Sequence, residues 1–90
     1  MTKIEAIQTA LRHVKSKEQE AGCELVLLDS ETLERQFGWV FFYDSRLHAE
    51  TGDFKHALAG NAPIVITRRD GKIHETGTAL PLEAYLRRFE

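Results

Sequence analysis

The sequence has one cysteine, two prolines and no long apolar run among its 90 residues. A single cysteine cannot form an internal disulfide, which excludes the disulfide-rich scaffolds of small secreted domains. Charged residues interrupt residues 1–22, and no later stretch approaches the roughly 20 apolar residues that span a bilayer. We therefore expect a cytoplasmic protein with no secretory signal and no membrane contact.

The sequence also lacks an excess of charge of one sign, because its formal net charge at pH 7 is only −2. This balance gives no global attraction to nucleic acid or to an anionic membrane, so neither is predicted as a partner. The basic clusters at 68–72 and 87–88 have acidic neighbours, and we interpret them as solvated surface. A chain of 90 residues has room for one core, and we expect residues 1–90 to form one domain.

Motifs for catalysis and for cofactors are missing as well. The six glycines stand singly, so there is no glycine-rich phosphate loop. The four histidines have no metal-ligand spacing that a cysteine or carboxylate would complete. Cys23, His74 and Asp44 form a triad only on paper, since no nucleophile elbow accompanies them. The sequence thus predicts no catalytic residue, no metal, no cofactor and no enzyme activity.

An amphipathic helix is predicted over residues 2–21, with Gly22 as its end. Thr2 and Glu5 match a capping box, in which each side chain accepts a hydrogen bond from the backbone N–H of the other. Apolar residues recur at three- and four-residue steps, and we expect this stripe to face the core. The stripe comprises Ile4, Ile7, Leu11 and Val14, with Ala6 and Ala10 beside it.

Four strands are predicted after this helix, at residues 23–29, 38–44, 63–68 and 72–76. Asp70 and Gly71 are a strong hairpin signal between the last two strands, and a hairpin is the economical arrangement of the first two. The form of the connection 30–37 stays open. A short second helix is predicted with Pro81 at its first position. The predicted fold is α+β, with the N-terminal helix packed on a four-stranded, mainly antiparallel sheet plus a short C-terminal helix.

The connection between the second and third strands, residues 44–62, is long for a compact domain, and such connections often carry function. One or two helical turns are compatible with Asp53 as a cap and Gly60 as an end, and they would pack Phe54 and Leu58. A role of the polar residues in contacting a partner stays open beside this structural interpretation.

The stretch GWVFFYDS, residues 38–45, sets five apolar or aromatic side chains in a row. In a strand, Trp39, Phe41 and Tyr43 face one way and the two residues between them face the other, so both sheet faces are apolar. The first helix can cover one face. The other is covered by the C-terminal helix and the long connection, or stays partly open as an interface for another protein. In the alternative, all five side chains are core.

Five motifs follow one another from residue 38 onward: GWVFFYDSR (38–46), ETGD (50–53), LAGNAPIVI (58–66), the DG turn and HETGTALPLEAYL (74–86). Together they resemble the immunity protein 35 family, which includes small YrhB-type proteins. The resemblance implies a small cytoplasmic α+β protein that binds a cognate bacterial toxin and neutralises it by steric occlusion, without catalysis. It also implies an alternative, since YrhB-type members have been regarded as heat-stable, chaperone-like proteins that hold unfolded clients.

The partner that the resemblance implies is a cognate protein toxin. One helix followed by four antiparallel strands is similar to the layout of cystatins, which makes a papain-like enzyme a first candidate for that toxin. Homo-oligomer formation through an edge strand stays open. Aromatic anchors of the second strand and charges of the adjoining connection are the expected contacts. These residues are Trp39, Phe41, Tyr43, Arg46, His48, Glu50 and Asp53.

Overall fold

Four α-helices and six β-strands make up the computed structural model, which describes residues 1–90. The helices are α1 (Lys3–Ser16), α2 (Glu18–Ala21), α3 (Arg46–Thr51) and α4 (Leu82–Leu86). The strands are β1 (Leu25–Leu27), β2 (Leu33–Arg35), β3 (Gly38–Phe41), β4 (Tyr43–Ser45), β5 (Ile64–Thr67) and β6 (Ile73–Glu75). Short 3₁₀ turns cover Asp29–Glu31, Phe54–His56 and Arg87–Phe89. None of the helices has the length and apolar character needed to cross a membrane.

The predicted α+β fold is confirmed. An antiparallel sheet has the strand order β2-β3-β5-β6, and β1 pairs with β4 in a second, two-stranded sheet. The hairpin of β5 and β6 turns at Asp70 and Gly71 as predicted, and Gly71 has a φ of +67°. Glycine suits that position because residues with a Cβ rarely adopt a positive φ.

The first hairpin is irregular because its two arms differ in length. Leu27 lies opposite Tyr43 and Leu33 lies opposite Val40, so five residues lie between the two pairs on one arm and two on the other. The 3₁₀ turn Asp29–Glu31 takes up the surplus on the longer arm. β2 lies in the connection whose form the sequence left open, and its polar residues are those of a short edge strand.

Both ends of the N-terminal helical segment match their prediction. Glu5 N–H donates to Thr2 Oγ1 at 3.2 Å, and Thr2 N–H donates to the Glu5 carboxylate at 2.9 Å. The segment breaks at Lys17 into α1 and α2, and it ends at Gly22 with a φ of +73°.

α1 covers one face of the sheet with small side chains, and the predicted stripe is wrong in its phase. The core on this face comprises Ala6, Ala10 and Val14 of the helix and Leu25, Trp39, Phe41, Tyr43, Ile64 and Ile66 of the strands. Ile4 is 70% exposed, Leu11 is 42% exposed, and Ile7 is half-buried at the margin. The alanines let the helix backbone approach the bulky side chains of the sheet closely, as dense packing requires.

The C-terminal residues cover the opposite face of the sheet. Val40, Val65 and Leu86 are fully buried there. The half-buried residues packed around them are Leu33, Phe37, Phe42, Leu82 and Phe89. Both apolar faces are therefore covered. Pro81 lies one residue before α4 and not inside its first turn, which corrects the predicted start of this helix.

The long connection contains α3, a helix that the sequence analysis did not predict. Asp53 caps the following 3₁₀ turn as predicted, because its carboxylate accepts the Lys55 N–H at 3.0 Å. Leu58 packs against the larger core, but Phe54 is 87% exposed, so its predicted burial is wrong. The turn ends at His56, and Phe54 and Leu58 therefore do not share a helical face.

Glu75 ties the edge strand β6 to α1 and the residue that follows it. Its carboxylate pairs with Lys17 Nζ and lies 3.2 Å from His13 Nε2. The hydrogen bonds from Lys17 and His13 lower the pKa of Glu75 below its ordinary value of 4.5. The ionised carboxylate therefore stabilises the folded state. This stabilisation is lost as the pH falls through the folded-state pKa of Glu75.

Glu75→Gln is expected to lower the free energy of unfolding at neutral pH by less than about 1 kcal/mol, as for other exposed ion pairs. The difference from the wild type should shrink as the pH falls below 4.5, because protonation then removes the same charge from the wild type. Urea unfolding at a series of pH values measures this. Glu31→Gln is the control, since Glu31 is exposed and not in an ion pair; equal pH profiles of both variants would contradict the prediction.

Candidate functional site

The aromatic residues that the sequence analysis assigned to a partner lie in the core. Trp39, Phe41 and Tyr43 are 1%, 0% and 7% exposed. They face α1, which buries them, and this burial raises the pKa of the Tyr43 hydroxyl. In this conformation the three side chains offer almost no surface either to a toxin or to an unfolded client.

The other predicted contact residues come together where the first hairpin ends. Arg46, His48 and Glu50 lie in α3, and Asp53 caps the turn that follows. Ser45 joins these two elements: its buried hydroxyl accepts the His48 N–H at 3.0 Å and donates to the His56 carbonyl at 2.6 Å. One hydroxyl thus caps α3 and holds the 3₁₀ turn against it.

Arg46 is the centre of an exposed ion-pair network. Its Nε lies 2.7 Å from Glu50 Oε1 in the same helix, and its Nη1 lies 2.9 Å from Glu24 Oε2 across the hairpin. The two carboxylates raise the pKa of the Arg46 guanidinium, and Arg46 in turn lowers the pKa of Glu24. The network links α3 to Glu24, the residue that precedes β1.

Two exposed apolar side chains accompany these charges. Leu47 is half-exposed in α3, and Phe54 projects from the start of the 3₁₀ turn. The Phe54 ring lies 6.1 Å from the imidazole of His48, centroid to centroid, and His48 is paired with Asp44. Apolar residues exposed singly are ordinary on protein surfaces. Phe54 is nevertheless the most exposed of the large apolar side chains, at 87%, and offers apolar area to a partner.

An open groove of about 760 Å³ lies beside α3, between the residues before β1 and the 3₁₀ turn. Its lining includes Cys23, Glu24, Arg46, Glu50, Lys55 and His56. Nowhere in the chain do three His, Cys, Asp or Glu side chains come close enough to hold a metal ion. The groove together with residues 46–56 is called the α3 surface below.

The chain can now be compared with known proteins. A family model described as Immunity protein 35 matches residues 4–88. The chain belongs to this family. Among curated proteins, the "Uncharacterized protein YrhB" of Escherichia coli (strain K12) is 49% identical over 61 residues, which are 66% of this chain and 65% of that protein. The match thus spans just under two thirds of the relative's length. No solved structure matches.

The match confirms the resemblance to the immunity protein 35 family and extends it to the N-terminal helix.

The α3 surface contains four residues that the sequence analysis named as expected contacts, Arg46, His48, Glu50 and Asp53, and two exposed apolar residues that it did not name as contacts. Leu47 was missed because α3 was not predicted, and Phe54 was assigned to the core. One feature of the sequence indicates that Phe54 is exposed: it lies between the charged residues Asp53 and Lys55 in a connection, where an apolar residue often faces solvent.

Proposed function

We propose that this protein is an immunity protein that binds a cognate bacterial toxin and neutralises it by steric occlusion, without catalysing a reaction. Membership of the immunity protein 35 family supports the general class. The structure supports a binding role through one observation above all, the exposed Phe54 on the α3 surface. We assign the α3 surface as the contact region for the toxin.

The geometry of the α3 surface suits recognition of a protein. Phe54 and Leu47 provide apolar area, and aromatic side chains in an interface commonly contribute much of its binding energy. Arg46, Glu24 and Glu50 add charges of both signs to the same surface. Such rim charges select among partners and steer association more than they add affinity. These features support recognition of a specific partner by the α3 surface.

The proposal is tested by expressing the product of each neighbouring gene with and without this protein. We expect one neighbouring product to arrest growth when it is expressed alone. Co-expression of this protein should restore growth, and the two should co-purify at a fixed stoichiometry. A papain-like peptidase is the first toxin class to assay, because the helix-on-sheet layout is similar to that of cystatins. Recovery of many unrelated, partly unfolded proteins instead of one partner would contradict the proposal and favour a chaperone.

Phe54→Ala is expected to weaken toxin binding by about 30-fold or more, the range of an interface hot spot. Its ring is solvated in the free protein, so the folded state should lose almost nothing. Titration calorimetry with the purified toxin measures the affinity.

Leu80→Ala provides the matched control for that titration. Leu80 is also an exposed apolar residue, at 57%, but it precedes α4 and lies outside the α3 surface. We expect toxin affinity to be unchanged in Leu80→Ala. Equal affinities of both variants would place the interface elsewhere on the molecule.

A further inference from the structure

Two basic clusters that are far apart in the sequence meet at the opposite end of the first hairpin from the α3 surface. Arg68 and Arg69 follow β5, and Arg88 lies near the C-terminus, yet all three line one recess of about 500 Å³. The rest of its lining is Gln36, Phe37, Thr67 and Phe89. The sequence analysis interpreted both clusters as separate solvated surface, since nothing in the sequence joins them.

Aromatic rings hold two of these guanidinium groups in place. The Arg68 guanidinium lies over the Trp39 ring, 4.4 Å from its centroid, and donates to the Arg35 carbonyl at 2.9 Å. The Arg88 guanidinium lies 4.7 Å from the Phe89 centroid. Such stacking restricts the arginine rotamers before any ligand arrives, which reduces the entropy that binding loses.

The recess has positive charge that the protein itself does not neutralise. The ion pairs at this end are made by Arg35 and Arg68, which leaves Arg69 and Arg88 without a carboxylate partner. Phe37 and Phe89 stack at 5.4 Å and form an apolar wall next to these arginines. Arg88 Nη2 lies 3.4 Å from His74 Nδ1, which is not an acidic group. The recess therefore combines two guanidinium groups that lack a carboxylate partner with an aromatic wall.

We propose that this recess binds a carboxylate of an acidic protein segment, with an apolar residue beside that carboxylate seated on Phe37 and Phe89. Guanidinium groups bind oxyanions through charge-assisted hydrogen bonds. Carboxylates lie next to the recess: Glu34 pairs with Arg68, Asp70 accepts a hydrogen bond from Thr67, and Glu90 follows Phe89 in the chain. These carboxylates would repel a polynucleotide, because its closely spaced phosphates could not contact the arginines without also lying near the carboxylates. A single carboxylate next to an apolar residue fits this arrangement.

This second site goes beyond the proposed function and is separate from the α3 surface. The recess adjoins Gly38 and the α3 surface begins after Ser45, at the two ends of the stretch formed by β3 and β4. At about 3.3 Å per residue these ends lie roughly 20 Å apart. The occupant is an acidic segment of a partner protein, and its recognition does not depend on the proposed function.

The test uses two blocked tripeptides, Ac-Leu-Asp-Phe-NH₂ and its isostere Ac-Leu-Asn-Phe-NH₂. Trp39 is the only tryptophan, and its ring lies under the guanidinium of Arg68, which lines the recess. A ligand that draws Arg68 away from the ring is therefore expected to change the Trp39 fluorescence. We expect the Asp peptide to give a saturable change at millimolar concentrations. The Asn peptide should bind about tenfold more weakly or worse, because it lacks the charge-assisted hydrogen bonds.

The variant Arg69→Ala/Arg88→Ala should reduce binding of the Asp peptide about tenfold or more, while Arg12→Ala on α1 should leave it unchanged. All three arginines are exposed, so these variants retain the fold, which circular dichroism checks. Inorganic phosphate and a single-stranded oligonucleotide are titrated alongside. Equal binding of the Asp and Asn peptides, full binding by the double variant, or tighter binding of phosphate or of the oligonucleotide would overturn the proposal.

Discussion

Gly38→Ala is expected to lower the free energy of unfolding by about 3 kcal/mol or more, the sum of backbone strain and a steric clash. Gly38 has a φ of +151°, a conformation that residues with a Cβ rarely adopt. An added Cβ would lie 2.0 Å from the Ile66 carbonyl oxygen and 3.0 Å from the Arg68 backbone nitrogen. The contact is with backbone, so no side chain can move aside, and β3 would have to separate from β5.

Gly22→Ala is the control that isolates the effect of φ. Gly22 also has a positive φ, +73°, but an added Cβ there meets no atom within 4 Å. We expect this variant to lose only about 1 kcal/mol. Urea unfolding followed by circular dichroism measures both variants under the same conditions. If Gly38→Ala lowers the free energy of unfolding no more than Gly22→Ala does, the close approach of the β5 backbone does not cause the destabilisation, and the prediction is wrong.

Phe41→Ala is expected to lower the free energy of unfolding by about 3–5 kcal/mol, the usual range for a fully buried phenylalanine. Phe41 is completely buried, lies opposite Ile64 in the β3–β5 pairing and belongs to the core under α1. The substitution leaves a cavity in the larger core. This core has only nine buried residues, so few neighbouring side chains can move to fill the cavity. For a domain of this size, such a loss is a large part of the total stability.

Phe54→Ala provides the matched control, because it removes the same side-chain atoms from the most exposed phenylalanine of the chain. We expect its stability to stay within about 0.5 kcal/mol of the wild type. Thermal unfolding of the two variants gives the comparison. The order should reverse for toxin binding, where Phe54→Ala is the damaging change. Similar losses of stability in both variants would contradict the assignment of Phe41 to the core and Phe54 to the surface.

The two proposed binding regions depend on residues whose loss should leave the core intact. Each lies at one end of the stretch formed by β3 and β4, and the buried aromatic side chains between them fix their separation. Stability and recognition can therefore be measured with different variants of one protein.

The local features of this protein followed from its sequence because each depends on neighbouring residues. The capping box of Thr2 and Glu5, the helix end at Gly22 and the hairpin turn at Asp70 and Gly71 need only short-range geometry. The family could also be identified from the ordered motifs after residue 38, and the matching family model confirms it.

Tertiary structure decided which apolar side chains are buried. Ile4 and Leu11 belong to a regular helical stripe in the sequence, yet the helix turns Ala6, Ala10 and Val14 toward the bulky side chains of the sheet, against which they pack densely. Phe54 was predicted to pack beside Leu58 on one or two helical turns that end at Gly60, but the turn ends at His56 and Phe54 stays exposed.

The candidate binding regions also needed the tertiary structure, since each joins segments that are distant in the sequence. Ser45 holds α3 against the turn Phe54–His56, and the fold brings Arg88 to the recess that Arg68 and Arg69 also line. The sequence by itself determined the class of fold, the family and the caps and turns. Packing between distant segments determined the exposed surfaces, because burial of one side chain depends on what the rest of the chain places over it.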